Sequence, residues 1–280
     1  MSRDEQVHGT GIDHVGSDSP PDDSITALGL LVGALRDIRS RPSLAVPFLV
    51  TSVVLAACNV VRLRDPVATQ VATVARMGLA HFVVLLYPGD SSLVTRPIGA
   101  ILGLRLPIMA EVAAVWLVTQ IAIATAVVAL VTRSDGDSIS VRSVASLVVF
   151  QCCLSGLVWA VGAIAAMLGF VALLVGVLLV AFISARLFAV PVLLVRGSSM
   201  GTAIRRSYDS VAGNTLSVVV FAGIIGTLQY WVGSVPMLDS LASYGGPELH
   251  VALGTVLGVS IFAPLGVLGA IRVAVIATDE

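Results

Sequence analysis

Two ionisable side chains stand inside long apolar runs of this chain, Glu111 near the start of one and Arg186 near the end of another. A charge held in hydrocarbon is costly, so it normally lines a transport path, meets a partner, or snorkels to the nearer interface. Counted along helical spans, Glu111 falls about 6 Å below one surface and Arg186 near the opposite third, too far apart in depth to pair. Arg186 is expected to anchor its span by reaching headgroups or the carbonyls of the elbow that follows. The other reactive types do not assemble. His8, His14, His81 and His250 are scattered, and Cys58, Cys152 and Cys153 lie in apolar stretches without partners at metal-ligand spacing. The cysteines read as small buried apolar residues, a vicinal disulfide between Cys152 and Cys153 being strained. There is no glycine-rich phosphate loop before a helix, no nucleophile elbow and no His-Glu-x-x-His. A non-enzymatic protein with no cofactor and no metal site is therefore expected. Gln120, Gln151 and Gln229 read as hydrogen-bonding groups between helices.

The elements that must position these residues are membrane spans. Apolar residues make up 57% of the chain and charged residues 12%, against roughly 25% charged in a soluble protein. The apolar residues come in uninterrupted blocks, and ten-residue alternating segments of a barrel are absent, so the expected fold class is all-α, a polytopic helical bundle. A net charge of -1 leaves no basic surface for nucleic acid. All 16 basic residues are arginine, and the first 24 residues carry six acids against Arg3. Codon bias explains the arginines, and so does a salt-adapted, archaeal halophile-like proteome. Residues 1–24, polar and without a basic n-region, read as a disordered acidic tail rather than a signal peptide.

Ser24 is placed to cap a short helix over 25–35, too brief to cross about 30 Å of hydrocarbon and so interfacial. A single transmembrane domain over 25–280 is expected, with spans at 43–61, 107–131, 143–166, 169–195, 213–238 and 249–271. The 53 residues of 143–195 contain one charge and would measure near 80 Å as one helix, so they must turn back near Met167 to Gly169. Residues 66–87 are long enough to cross, but Thr69, Thr73 and Arg76 line one stripe and Val67, Val71, Val74 and Phe82 another. The amphipathic pattern favours lying on the outer surface over crossing. Ser240 to Glu248 reads as a loop, and Pro191 and Pro264 each interrupt a span. With six spans, ten arginines share the side of both termini and Arg62, Arg64, Arg76, Arg96 and Arg105 take the other. That division places both termini in the cytoplasm of a cell membrane.

Between the fourth and fifth expected spans, Met200, Ala203, Ile204, Tyr208 and Val211 share one helical face, and Arg205, Arg206 and Asp209 the other. Ser198 or Ser199 can cap its start, Gly213 can end it, and Asn214 can begin the next span. This reads as a cytoplasmic interfacial helix. Arg186-Leu187-Phe188-Ala189-Val190-Pro191, then Ala203-Ile204-Arg205-Arg206-Ser207-Tyr208 and Gly213-Asn214, resembles the signature of a broad family of six-span prokaryotic membrane proteins. That family includes uncharacterised archaeal and bacterial proteins and the membrane domain attached to some glycerophosphodiester phosphodiesterases. The resemblance is close over 186–214 and elsewhere extends only to the span pattern. Arg196-Gly197 departs from it, since an acidic residue usually precedes that glycine. The resemblance implies the six-span architecture and marks Arg186, Pro191, Ala203, Ser207, Gly213 and Asn214 as a motif, without implying an activity. The functional expectation is a non-catalytic component that binds membrane lipids or another membrane protein, the alternative being a small-solute transporter.

Overall fold

The computed structural model describes residues 25–65, 70–71, 94–95, 104–233 and 236–279. The expected tail over 1–24 lies outside the described residues. The chain is an all-α bundle: α1 (Ala27–Ser40), a 3-10 turn (Pro42–Ala45), α2 (Val46–Arg64), α3 (Leu106–Asp135), α4 (Val141–Leu168), α5 (Phe170–Arg186), α6 (Val190–Val195), α7 (Met200–Ser210), α8 (Thr215–Gly233) and α9 (Pro236–Asp279). Two short strands, β1 (Gln70–Val71) and β2 (Val94–Thr95), pair antiparallel. Among the described residues five stretches are long and apolar enough to cross a membrane: Pro42–Arg64, Leu106–Asp135, Val141–Val158, Leu174–Val195 and Gly246–Val275. The pair α7 and α8, bent by 102°, makes a sixth if taken as one broken span. The protein is thus a multi-pass membrane protein.

One continuous core ties the helices together, from Leu30 of α1 and Phe48 of α2 through Leu130 of α3 and Leu193 of α6 to Val273 of α9. The most extensive pairings put α9 against α2 and α8, and α2 against α3. Large apolar side chains on the outside, such as Leu49, Val53, Leu174, Leu178 and Leu257, are exposed as lipid-facing residues are.

Local chemistry accounts for the boundaries. Thr26, not Ser24, caps α1, its hydroxyl accepting from the Gly29 amide at 3.0 Å, and the helix continues past Leu35 through the charged turn to Ser40. It packs on α9, where Arg272 donates to Asp37 at 2.8 Å and to the Gly33 carbonyl at 3.1 Å. A side chain at 33 would overlap that guanidinium, which accounts for the glycine. The turn between α4 and α5 falls at Gly169, as the length argument requires, with φ +91 that only glycine adopts freely. The expected loop at 240–248 is instead helical on both sides of a kink at Gly246, φ 74, and Pro247 opens the second part. Pro264 sits within α9 without ending it, whereas Pro191 does mark a break.

The ends of the bundle sort as an antiparallel threading demands. Arg133 donates to the Ser43 carbonyl, Arg196 pairs with Asp135, Ser143 donates to the Val195 carbonyl and Arg272 pairs with Asp37. At the other end Arg64 pairs with Glu248. The reading of 66–87 as one amphipathic helix falls mostly outside the described residues. Within it, Gln70–Val71 is extended and paired with Val94–Thr95, which itself packs near α2. The chain therefore leaves Val71 and returns to Val94 at the same end of the bundle.

Candidate functional site

The clearest construction is the junction of α5, α6 and α7. Proline has no amide hydrogen, and its ring clashes with the carbonyl four residues back, so a helix cannot run regularly through Pro191. The chain tightens instead: Phe188 bonds to the Ala185 carbonyl at 3.2 Å and Val190 to the Leu187 carbonyl at 3.1 Å. An uninterrupted ladder would have joined Ala189 to Ala185 and Val190 to Arg186. The Ala189 amide and the Arg186 carbonyl are thereby left without helical partners.

Ser207 of α7 supplies both. Its hydroxyl donates to the Arg186 carbonyl at 2.7 Å and accepts from the Ala189 amide at 3.2 Å, using the one donor and one of the two lone pairs that a hydroxyl has. Ser207 is fully buried, as are Ala203 and Val211 on the same stripe of α7. Of the residues expected to share one apolar face, Ala203 and Val211 pack inward. Ile204 and Tyr208 instead point outward, and the polar Ser207 takes the centre of the seam.

Arg186 closes the junction. Its Nη1 donates to the Tyr208 carbonyl at 2.9 Å, one of the last-turn carbonyls that a helix leaves unpaired. The guanidinium lies 4.3 Å from the Tyr208 ring centroid and 5.3 Å from that of Phe182, within range of a cation-π contact on both sides. Its Nε is buried without an acceptor. Of the two expected modes of anchorage, the elbow carbonyl is thus realised.

Glycines and caps fix the frame around this clasp. Gly197, φ +87, ends α6, with the Ser198 amide on the Leu193 carbonyl and its own on Leu194, the double bond of a Schellman end. Ser199 caps α7 by accepting from the Thr202 amide at 3.3 Å. Gly213, φ +87, turns the chain, and the Asn214 carbonyl accepts from Val218 to start α8. Arg186, Pro191, Ala203, Ser207, Gly213 and Asn214 are therefore brought into one local construction.

Glu111 is not part of it. It is exposed on the second turn of α3, at the Arg64 and Glu248 end of the bundle. A second polar cluster lies nearer that end and is absent from the sequence reading. Arg62 donates to Asn59 Oδ1 at 3.3 Å and to Thr119 Oγ1 at 3.1 Å, and Asn59 donates to Thr255 at 3.0 Å. Asn59, Thr119 and Thr255 are buried in apolar helices. An asparagine inside an otherwise apolar run is the signal that could have revealed the cluster. Of the glutamines, Gln120 keeps a buried Nε2 without an acceptor, and Gln229 lies against Gly258. The cysteines are free, with Cys58 and Cys152 half-buried and Cys153 exposed, so they are not the buried set expected.

No family model, curated protein or solved structure matches the chain. Among the described residues, no three His, Cys, Asp or Glu side chains gather as a metal site would need.

Proposed function

We propose that this protein is a non-catalytic, lipid-binding component of a cell membrane, with α7 lying in the cytoplasmic interface and both termini on that side. The observation that carries this is the two-sided build of α7. It stands at 102° to α8, and its seam of Ala203, Ser207 and Val211 is bound into the bundle. Ile204, Tyr208, Arg205 and Arg206 are left on its outer surface. An amphipathic helix crosswise to a span, exposing apolar side chains and two arginines against one acid, Asp209, suits the headgroup boundary of an anionic leaflet. Membership of the six-span family is part of this reading, supported by the convergence of its motif residues on one junction. Unfolding midpoints in nanodiscs of increasing phosphatidylglycerol content test it. Stability should rise with anionic fraction, and Arg205→Gln with Arg206→Gln should flatten that dependence. An unchanged slope in the double variant overturns the reading.

The alternative, a small-solute transporter, draws on one feature: a helix broken within an apolar span, as in transporters that bind substrate at discontinuous helices. Here Ser207 and Pro191 occupy the break, which favours an anchoring role for it. Saturable solute flux in proteoliposomes, lost in Arg62→Gln but kept in the α7 double variant, would favour transport instead.

A further inference from the structure

We propose that Arg186, Phe182 and Tyr208 form a discrete site for the phosphate of one membrane phospholipid, whose acyl chain lies along α5. The inference rests on the lipid-binding reading above and narrows it to one ordered molecule. The guanidinium has five donors in a planar fork suited to phosphate oxygens. The Tyr208 carbonyl takes Nη1, and Nε is buried with no acceptor. The chain therefore does not supply this cation with a full set of acceptors, which favours an additional oxygen at the guanidinium's outer edge. Nε itself is out of reach, so a phosphate would meet the outer guanidinium donors of the half-buried Arg186, past Phe182 and Tyr208, which flank it and are 45% and 49% exposed. Arg205, one turn before Tyr208 on α7, is exposed on a neighbouring stripe and adds positive charge.

The lipid tail has a track. Val171, Val175, Leu178 and Phe182 are all exposed and recur at spacings of four, three and four, so they form one ridge down α5 that ends at Arg186. From Val171 to Arg186 the ridge runs about 22 Å, enough to accompany a chain through one leaflet of about 15 Å, half the hydrocarbon thickness. An apolar ridge terminating in a caged guanidinium has the polarity of a phospholipid read from tail to head. A free phosphate would use the fork but not the ridge.

Native mass spectrometry of the protein, released from nanodiscs of phosphatidylglycerol and phosphatidylcholine and taken through detergent exchange, tests the site. The wild type should retain one phospholipid. Arg186→Gln should lower its occupancy at least tenfold, and Arg186→Lys, which keeps the charge without the fork, should fall between. Phe182→Ala, on the exposed ridge, should lower occupancy several-fold in a protein that still unfolds cooperatively, and it decides the matter if Arg186→Gln does not fold. Millimolar inorganic phosphate should leave the lipid in place. Equal retention in Phe182→Ala or in a folded Arg186→Gln overturns the proposal, as does displacement by phosphate, which would identify a free-anion site. If no lipid is retained while anionic nanodiscs still stabilise through Arg205 and Arg206, the discrete site fails alone. If one lipid is retained and the double variant changes nothing, only the broader reading of α7 fails.

Discussion

Replacing Ser207 with alanine removes a hydroxyl that satisfies two backbone groups at once, the Arg186 carbonyl at 2.7 Å and the Ala189 amide at 3.2 Å. The site is fully buried, so water cannot take over either bond. Leaving one buried group unsatisfied costs about 1–3 kcal/mol in soluble proteins, while interhelical hydrogen bonds in membranes average only about 0.6 kcal/mol. Two groups thus bracket a loss of about 1–6 kcal/mol, and about 2 kcal/mol, towards the membrane end of that range, is expected. The origin of the cost can be isolated through Pro191. In Pro191→Ala the residue at 191 regains an amide, the ring no longer presses on the Leu187 carbonyl, and the ladder can close from Val190 to Arg186 and from Ala189 to Ala185. Ser207 then becomes redundant. In the Pro191→Ala background, Ser207→Ala should cost less than about 0.5 kcal/mol, a coupling of about 1.5 kcal/mol, well beyond the additivity error of distant sites. Equilibrium unfolding in mixed micelles, titrated with dodecyl sulfate and followed by circular dichroism, measures all four corners of the cycle. Additivity within about 0.5 kcal/mol would refute the account of Ser207 as the substitute for a broken ladder.

Three further outcomes are expected. Gly169→Val should destabilise by about 1–2 kcal/mol because φ +91 is closed to a branched side chain, and a variant as stable as the wild type in the same titration would show that the turn had moved. A chain beginning at Ser24 should insert and run as a single symmetric peak in detergent, since residues 1–24 are too polar to sustain a core; aggregation would count against it. With Cys58, Cys152 and Cys153 replaced, a cysteine at Ser91 should react with an impermeant maleimide in intact cells and one at Ser199 should not. The reverse pattern would invert the orientation assigned from the arginines.

The all-α multi-pass architecture was legible because lipid imposes a simple rule on sequence: a helix must be apolar for about 20 residues, whatever its neighbours are. The reversal at Gly169 followed from length alone. What faced inward was much less legible, because in a bilayer apolar residues have no reason to prefer the interior over lipid. On α7 the apolar pattern groups Ile204 and Tyr208 with Ala203 and Val211, yet the first two point out, the other two point in, and the polar Ser207 points in between them. The hydroxyl is needed only because Pro191, 16 positions earlier, breaks a ladder, and a demand created by one element and met by another does not appear in local periodicity. Arg62 shows the same limit. As a charge ending an apolar run it reads as a loop residue, but α2 continues to Arg64, and Arg62 turns back to Asn59 and Thr119.

The arginines carry two meanings that sequence counting merges. Arg133, Arg196 and Arg272 were scored as orientation signals, and each also fastens one helix end to another, through Ser43, Asp135 and Asp37. An exposed pair of this kind contributes at most about 1 kcal/mol, so their combined effect is to fix which ends meet rather than to hold the bundle together. A paired arginine also presents less positive field to an anionic leaflet than a solitary one, because its acid partner lies within 3 Å (2.8 Å for Arg196 and Asp135). Among the described residues no acid partner is found for several arginines, Arg36, Arg39, Arg133 and Arg142 included, but three of them gather on or beside α7: Arg205 and Arg206 on its outer surface, and Arg186 between two aromatic rings. Those three surround the one junction where the chain has broken a helix and rebuilt it with a side chain, which is why lipid recognition is placed there and not at the arginines that tie the bundle ends.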